Sequence, residues 1–182
     1  MKYLWILFVF TSINAFSQNE AYDLRDQIGL IKDLMPEVQV VGVIIGQKDE
    51  DLFQNVVNMV QRDFNIRVAL AVVKAPKTRN VKFLNSLFKD YAVQMLNRDT
   101  NVILFGFGKD HNLKNIIGIK AVAEVSAKFG VPTFSSHKKA LKVGCSGRFI
   151  FEEDWWKLHL DSEKTTAFSI SVPPDDDRFI SE

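Results

Sequence analysis

The stretch Ile31-Lys-Asp-Leu-Met-Pro-Glu-Val-Gln-Val-Val-Gly-Val-Ile-Ile-Gly46 joins a short helical pattern, a proline and a nearly all-apolar run. The apolar steps before Pro36 predict the last turns of an amphipathic helix, which the proline ends. The run from Val38 to Ile45 is typical of a strand in a parallel sheet, because helices cover both faces of such a sheet. The stretch therefore predicts an α/β fold.

The same alternation of strand and helix patterns continues to about residue 135. The predicted strands are 38–45, 67–73, 101–106 and 131–134, and the predicted helices are 20–35, 49–64, 81–96 and 113–129. Apolar strands that alternate with amphipathic helices favour a doubly wound, mostly parallel sheet. A flavodoxin-like strand order of 2-1-3-4, followed by a later strand, is the simplest arrangement.

The C-terminal third has an irregular pattern that still contains strand signals. Residues 136–142 fit a short helix, 147–152 and 156–161 fit strands, and the alternation in 166–172 fits an edge strand. Residues 173–182 begin with Pro-Pro-Asp-Asp-Asp-Arg and are expected to form a flexible tail. The domain is therefore expected to cover residues 19–172.

Residues 1–18 have the pattern of a secretory signal peptide. Lys2 provides a positive start, Leu4 to Phe10 is a short apolar run, and Ala15-Phe16-Ser17 fits a cleavage site. This pattern predicts an exported protein, periplasmic or extracellular, with no transmembrane segment in the mature chain.

Composition argues against nucleic-acid binding and against an internal disulfide. The 182 residues include 23 Lys and Arg against 22 Asp and Glu, and 47% of them are hydrophobic. Near charge balance argues against nucleic-acid binding, which needs a basic stripe. Cys145 is the single cysteine, so an internal disulfide is impossible, and we expect a small buried side chain there.

The carboxyl ends of the predicted strands are where an open α/β sheet binds ligands. Nine residues at these ends are candidate ligand-binding residues: Gln47, Asp49, Gly106, Gly108, Lys109, His111, Ser135, Ser136 and His137. A nucleotide loop is not predicted, since neither a third glycine nor a Walker pattern follows Gly108. The histidine and cysteine spacings predict no metal site, and no cofactor is expected.

Aromatic residues cluster near the C-terminus. Phe149, Phe151, Trp155 and Trp156 are candidate interface residues, because adjacent residues in a strand point to opposite faces and one tryptophan can remain available to a partner.

Four segments together resemble a known family. Leu34-Met-Pro-Glu-Val-Gln-Val-Val-Gly-Val43, Val131-Pro-Thr-Phe134, Ala140-Leu-Lys-Val-Gly144 and the Trp155-Trp156 pair are similar to one lobe of ABC-transporter substrate-binding proteins of the type I periplasmic-binding-like fold. In that family the first segment opens the second lobe, whereas here it follows soon after the predicted cleavage site. A weaker similarity, through Gly147-Arg-Phe-Ile-Phe-Glu152, is to YfiR-type periplasmic regulators.

These observations lead to one expected function and several alternatives. The first hypothesis is an exported, non-enzymatic module that acts by contact with an envelope protein or by weak sensing of a small molecule. The alternatives implied by the resemblance are a small-ligand-binding protein of an ABC-type uptake system, which dimerisation would complete, and a YfiR-like regulator. A third hypothesis is a hydrolase or transferase that uses Ser135, His111 and Asp49. The sequence does not determine the oligomeric state.

Overall fold

The fold alternates strands and helices, as the sequence predicts. A computed structural model describes residues 23–74, 78–106 and 113–182. The strands are β1 Val40–Gly46, β2 Arg67–Val73, β3 Val102–Phe105, β4 Thr133–Ser135, β5 Gly147–Glu152, β6 Trp155–Leu160 and β7 Phe179–Ser181. The helices are α1 at residues 23–34, α2 Glu50–Phe64, α3 Val81–Leu96, α4 Ile116–Lys128 and α5 Ser162–Ala167. Short 3-10 turns occupy Gln47–Asp49 and Leu141–Val143.

The strands form one sheet in the order β2-β1-β3-β4-β5-β6-β7. The first five strands are parallel to one another, β6 is antiparallel to β5, and β7 is parallel to β6. This arrangement confirms the predicted doubly wound, mostly parallel α/β fold and the predicted order of its first four strands.

β1 is buried on both faces of the sheet. All seven of its residues are buried, and it pairs with β2 along its whole length and with β3 on its other side. Val41, Val43 and Ile45 pack with α1 and α2, whereas Val40 and Ile44 pack with α3 and α4. Each such side chain contributes about 1.5–3 kcal/mol of burial free energy. α1 and α2 therefore cover one face of β1, and α3 and α4 cover the other.

The α3–α4 layer is held together by a close helix crossing. A Cβ atom added at Gly118 of α4 would lie 2.5 Å from Cδ2 of Phe88 on α3. The Phe88 ring is fully buried and meets Phe105 of β3 edge-on, at 5.0 Å between centroids. Glycine at position 118 thus lets the aromatic ring reach the sheet.

The structure corrects two expectations for the C-terminal region. Residues 166–172 do not form an edge strand, because the Asp161 side chain caps α5 by accepting a hydrogen bond from the Lys164 amide at 2.9 Å. Residues 173–182 do not end as a loose tail, because Arg178 pairs with Asp33 of α1 at 2.9 Å and leads into β7. β7, rather than 166–172, extends the sheet beyond β6.

The predicted signal peptide, residues 1–18, lies outside the described residues. Among the residues described, no helix has both the length and the apolar character that a membrane span requires.

The close crossing at Gly118 leads to a stability prediction. Gly118→Ala should lower the free energy of unfolding by about 1–2 kcal/mol, since overpacking against Phe88 outweighs the roughly 1 kcal/mol that alanine gains in helix propensity. Urea unfolding measures the change, with Lys120→Ala on the exposed side of α4 as the control. Equal or higher stability of Gly118→Ala would show that the two helices can separate without cost.

Candidate functional site

The ends of β3 and β4 meet at the carboxyl edge of the sheet. Gly106 follows β3 with a φ of 97°, a conformation that favours glycine. A Cβ atom at this position would lie 2.8 Å from the Ser135 Oγ atom at the end of β4. The structure therefore brings together two of the residues that the sequence analysis selected.

A tight turn follows β4 and fixes His137. The Ser135 hydroxyl is fully buried and accepts a hydrogen bond from the His137 amide at 3.2 Å. The His137 Nδ1 atom in turn accepts a hydrogen bond from the Lys139 amide at 3.1 Å. Because Ser135 is enclosed and its hydroxyl holds this turn, it is placed to shape the edge and is not exposed as a nucleophile.

A cleft of about 320 Å³ lies between this turn and the start of α4. Its lining consists of Lys114, Asn115, Ile116, His137, Lys138 and Lys139. Asn115 caps α4 by accepting a hydrogen bond from the Ile117 amide at 3.0 Å, and the first turn of α4 contains no acidic residue. The positive end of the helix dipole therefore adds to the charge of three lysines.

Arg148 adds a further positive charge that the sequence analysis did not select. It lies on β5 beside Ser135, and its Nε atom is buried without a hydrogen-bond partner among the described residues. Burial lowers the pKa of His137, and the charges of Lys138, Lys139 and Arg148 lower it further. The edge is thus electropositive, which favours an anion as its ligand.

The remaining candidates at the strand ends occupy different environments. Gln47 is exposed, Asp49 is buried in the 3-10 turn after β1, and Ser136 is half-buried. Gly108, Lys109 and His111 lie outside the described residues. The set proposed for a hydrolase is therefore not assembled within the described part of the chain, which also contains no cluster of histidine, cysteine and carboxylate side chains that could hold a metal ion.

The candidate interface residues divide between core and surface. Phe149 is fully buried beside Phe134, so the expectation that it contacts a partner is wrong. Phe151 and Trp155 are 56% and 47% exposed, and Trp156 is partly buried with its ring edge-on to Phe151 at 5.3 Å. Phe149 and Phe151 share one face of β5, and they differ because Phe149 lies over the core whereas Phe151 lies near the hairpin tip, beyond the end of β4.

Cys145 is a buried side chain, as expected from the sequence. It is fully enclosed in the α3–α4 layer, and burial raises the pKa of its thiol to about 12. Since the thiolate is the nucleophile, this cysteine is unreactive in the folded chain.

The low pKa of His137 leads to a prediction about pH. An unfolded histidine titrates near its ordinary pKa of 6.5, and the folded value is lower, so the unfolded chain binds more protons below that pH. The free energy of unfolding should therefore decrease as pH falls from 8 through 6.5, and it should decrease less in His137→Asn, whose side-chain oxygen can still accept from the Lys139 amide. Chemical denaturation at pH 8 and pH 5 measures both slopes. Identical slopes would show that His137 does not experience this positive environment.

Comparisons with known proteins agree on the fold. No protein-family model and no curated protein sequence matches the chain. A conserved domain protein from Vibrio cholerae has a TM-score of 0.59 at 13% identity over 82% of this chain and 56% of its own. An ABC domain in complex with L-Trp from Streptococcus pneumonia has a TM-score of 0.56 at 14% identity over 82% and 58%.

A ligand-free, open substrate-binding protein with adhesive properties from Clostridium difficile has a TM-score of 0.58 at 8% identity over 85% of this chain and 58% of its own. This chain thus spans between a half and three fifths of the length of these three proteins. The predicted resemblance to substrate-binding proteins is confirmed at the level of fold. The similarity to YfiR-type regulators has no counterpart in these three structures and stays a prediction.

Proposed function

We propose that this chain binds a small organic anion, of the carboxylate or amino-acid class, at the carboxyl edge of its sheet. The observation that carries the proposal is the cleft between α4 and the turn after β4, which three lysines and His137 line. Open α/β sheets bind ligands at this edge. The volume of about 320 Å³ lies within the usual range for small-molecule sites.

The chemistry of the cleft favours an anion over a neutral ligand. Lysine ammonium groups donate charge-assisted hydrogen bonds to carboxylates, and the start of α4 adds backbone amides and a partial positive charge. Arg148, with its buried Nε atom, reinforces the positive field behind His137. A carboxylate placed here would meet donors from two elements that are distant in sequence.

The proteins of similar fold give independent support for ligand binding. One of them is in complex with L-Trp, which carries a carboxylate, and another is described as a substrate-binding protein. Sequence identities of 8–14% show a shared fold and nothing about the ligand. The ligand class proposed for this chain is therefore argued from the residues that line its own cleft. We further propose that the chain serves as a ligand-binding component of an ABC-type uptake system in the cell envelope.

Ligand binding is now favoured over protein contact as the main function. The sequence analysis placed protein contact before ligand binding, but the shape and charge of the cleft fit a small molecule better than a protein surface. Contact with a partner protein is still possible through Phe151 and Trp155, the exposed aromatic residues of the hairpin, which lie outside this cleft.

Isothermal titration calorimetry with L-tryptophan, succinate, inorganic phosphate and a neutral sugar tests the proposal. A carboxylate should bind and the neutral sugar should not. Lys114→Gln should weaken binding about tenfold, because a hydrogen bond to a charged group is worth about 1.5 kcal/mol or more.

Lys128→Gln, at the opposite end of α4, is the matched control and should leave affinity unchanged. Absence of binding by every anion, or equal loss in both variants, would contradict the assignment of the cleft.

A further inference from the structure

We propose that a second surface, separate from the anion cleft, docks a basic segment of a partner protein. This surface is the groove between α1 and the β5–β6 hairpin, with a volume of about 330 Å³. We call it the acidic–aromatic groove and define it by Asp23, Asp26, Asp33, Phe151, Trp155 and Trp156.

The aromatic side of the groove is formed where β5 extends past its neighbour. Ser135, the last residue of β4, pairs with Arg148, so residues 149–152 continue beyond the end of β4 and carry the hairpin tip. Glu153 and Asp154 form the turn with φ values of 54° and 69°, which is the geometry of a tight two-residue hairpin. Phe151 and Trp155 therefore lie on either side of a tight turn and remain about half exposed.

The acidic side is a stripe along α1. Asp23, Asp26 and Asp33, with Leu30 between them, recur at steps of three and four residues and share one face of the helix. The Trp156 side chain lies close enough to the Asp23 carboxylate to affect its pKa, and both residues line the groove, so the two sides form one surface. Burial raises the pKa of Asp23, so a cation that docks beside it would offset part of the cost of its charge.

The charge of the groove is negative overall. Its lining also includes Asp154, which makes four aspartates, and a single arginine, Arg178. The Arg178 guanidinium already pairs with Asp33 and Asp176. Arg25 pairs with Asp26 from the side, at 2.8 Å. Asp154 directly precedes Trp155 in the chain and Asp23 interacts with Trp156, so these two carboxylates lie on the aromatic side of the groove.

These features fit arginine and lysine side chains of a protein segment. A cation over the face of tryptophan or phenylalanine is attracted by the ring, and arginine also stacks on it and binds carboxylates with two hydrogen bonds. The acidic stripe from residue 23 to residue 33 is about 15 Å long at 1.5 Å per helical residue, a distance that four or five extended residues cover. A single amine would occupy only one end of this length.

A second copy of this chain is a less suitable occupant. Two grooves facing each other would place aspartates against aspartates. The basic cleft at Lys114 of another copy would complement the charge, but contact between two different surfaces is head to tail and gives rings or open filaments instead of a two-fold dimer. A basic segment of a different protein can form ion pairs with the aspartates and cation–π contacts with the aromatic rings.

Fluorescence titration of the full chain with the labelled peptide Arg-Leu-Arg-Leu-Arg tests the proposal, with Glu-Leu-Glu-Leu-Glu as the comparison. The basic peptide should bind, with an affinity that falls as NaCl is raised. Asp23→Asn and Trp155→Ala should each weaken binding by about fivefold or more, since a desolvated ion pair or cation–π contact is worth about 1 kcal/mol or more.

Matched controls separate this surface from general effects. Phe129→Ala, which removes an exposed aromatic ring at the end of α4, and Asp90→Asn on α3 should change the affinity less than about twofold. Lys114→Gln should leave peptide binding unchanged, so a failure of the anion cleft and a failure of this groove are distinguishable.

Four results would overturn the proposal. The acidic peptide could bind as well as the basic one, or both groove variants could bind like the unchanged chain. Free arginine could match the affinity of the peptide, which would make the groove a small-cation site. Light scattering could show self-association that Asp23→Asn abolishes, which would make a second copy the occupant.

Discussion

A strand whose side chains are buried on both faces needs helices on both sides of its sheet, and β1 imposes this requirement on the whole fold. α1 and α2 cover one face and α3 and α4 cover the other. Parallel neighbours then bring the ends of β1, β3 and β4 to one edge. The cleft at that edge exists because residues 114–116 and 137–139 follow the ends of β3 and β4, which this arrangement makes neighbours.

β5 connects the two surfaces that the structure presents. Arg148, near its start, lies beside Ser135 at the positive edge, whereas Phe149 is buried in the α1–α2 layer. Phe151, near its end, is exposed in the acidic–aromatic groove. One strand thus contributes a cation to a proposed anion site and an aromatic ring to a proposed cation-binding surface. The two surfaces have opposite charge and share no lining residue, so each can be tested without altering the other.

Local patterns account for much of the fold, and long-range contacts account for what the sequence could not predict. The bounds of β2 and α3 follow directly from apolar periodicity and turn residues. Arg148 could not be assigned to the edge from sequence, because only the pairing of β4 with β5 places it beside Ser135. The C-terminal residues are held by the pairing of β7 with β6 and by the Arg178–Asp33 ion pair, whose members are 145 positions apart.

The central claim is that the positive edge of the sheet is a ligand site. Amide NMR of the isotope-labelled chain during a titration with L-tryptophan tests it most directly, because the signals report each position separately. The account predicts saturable shifts at Ile116, Ile117 and residues 137–139, with the signals of Trp155 and Trp156 unchanged. Shifts confined to other regions, or none at a saturating concentration of any carboxylate, would contradict it.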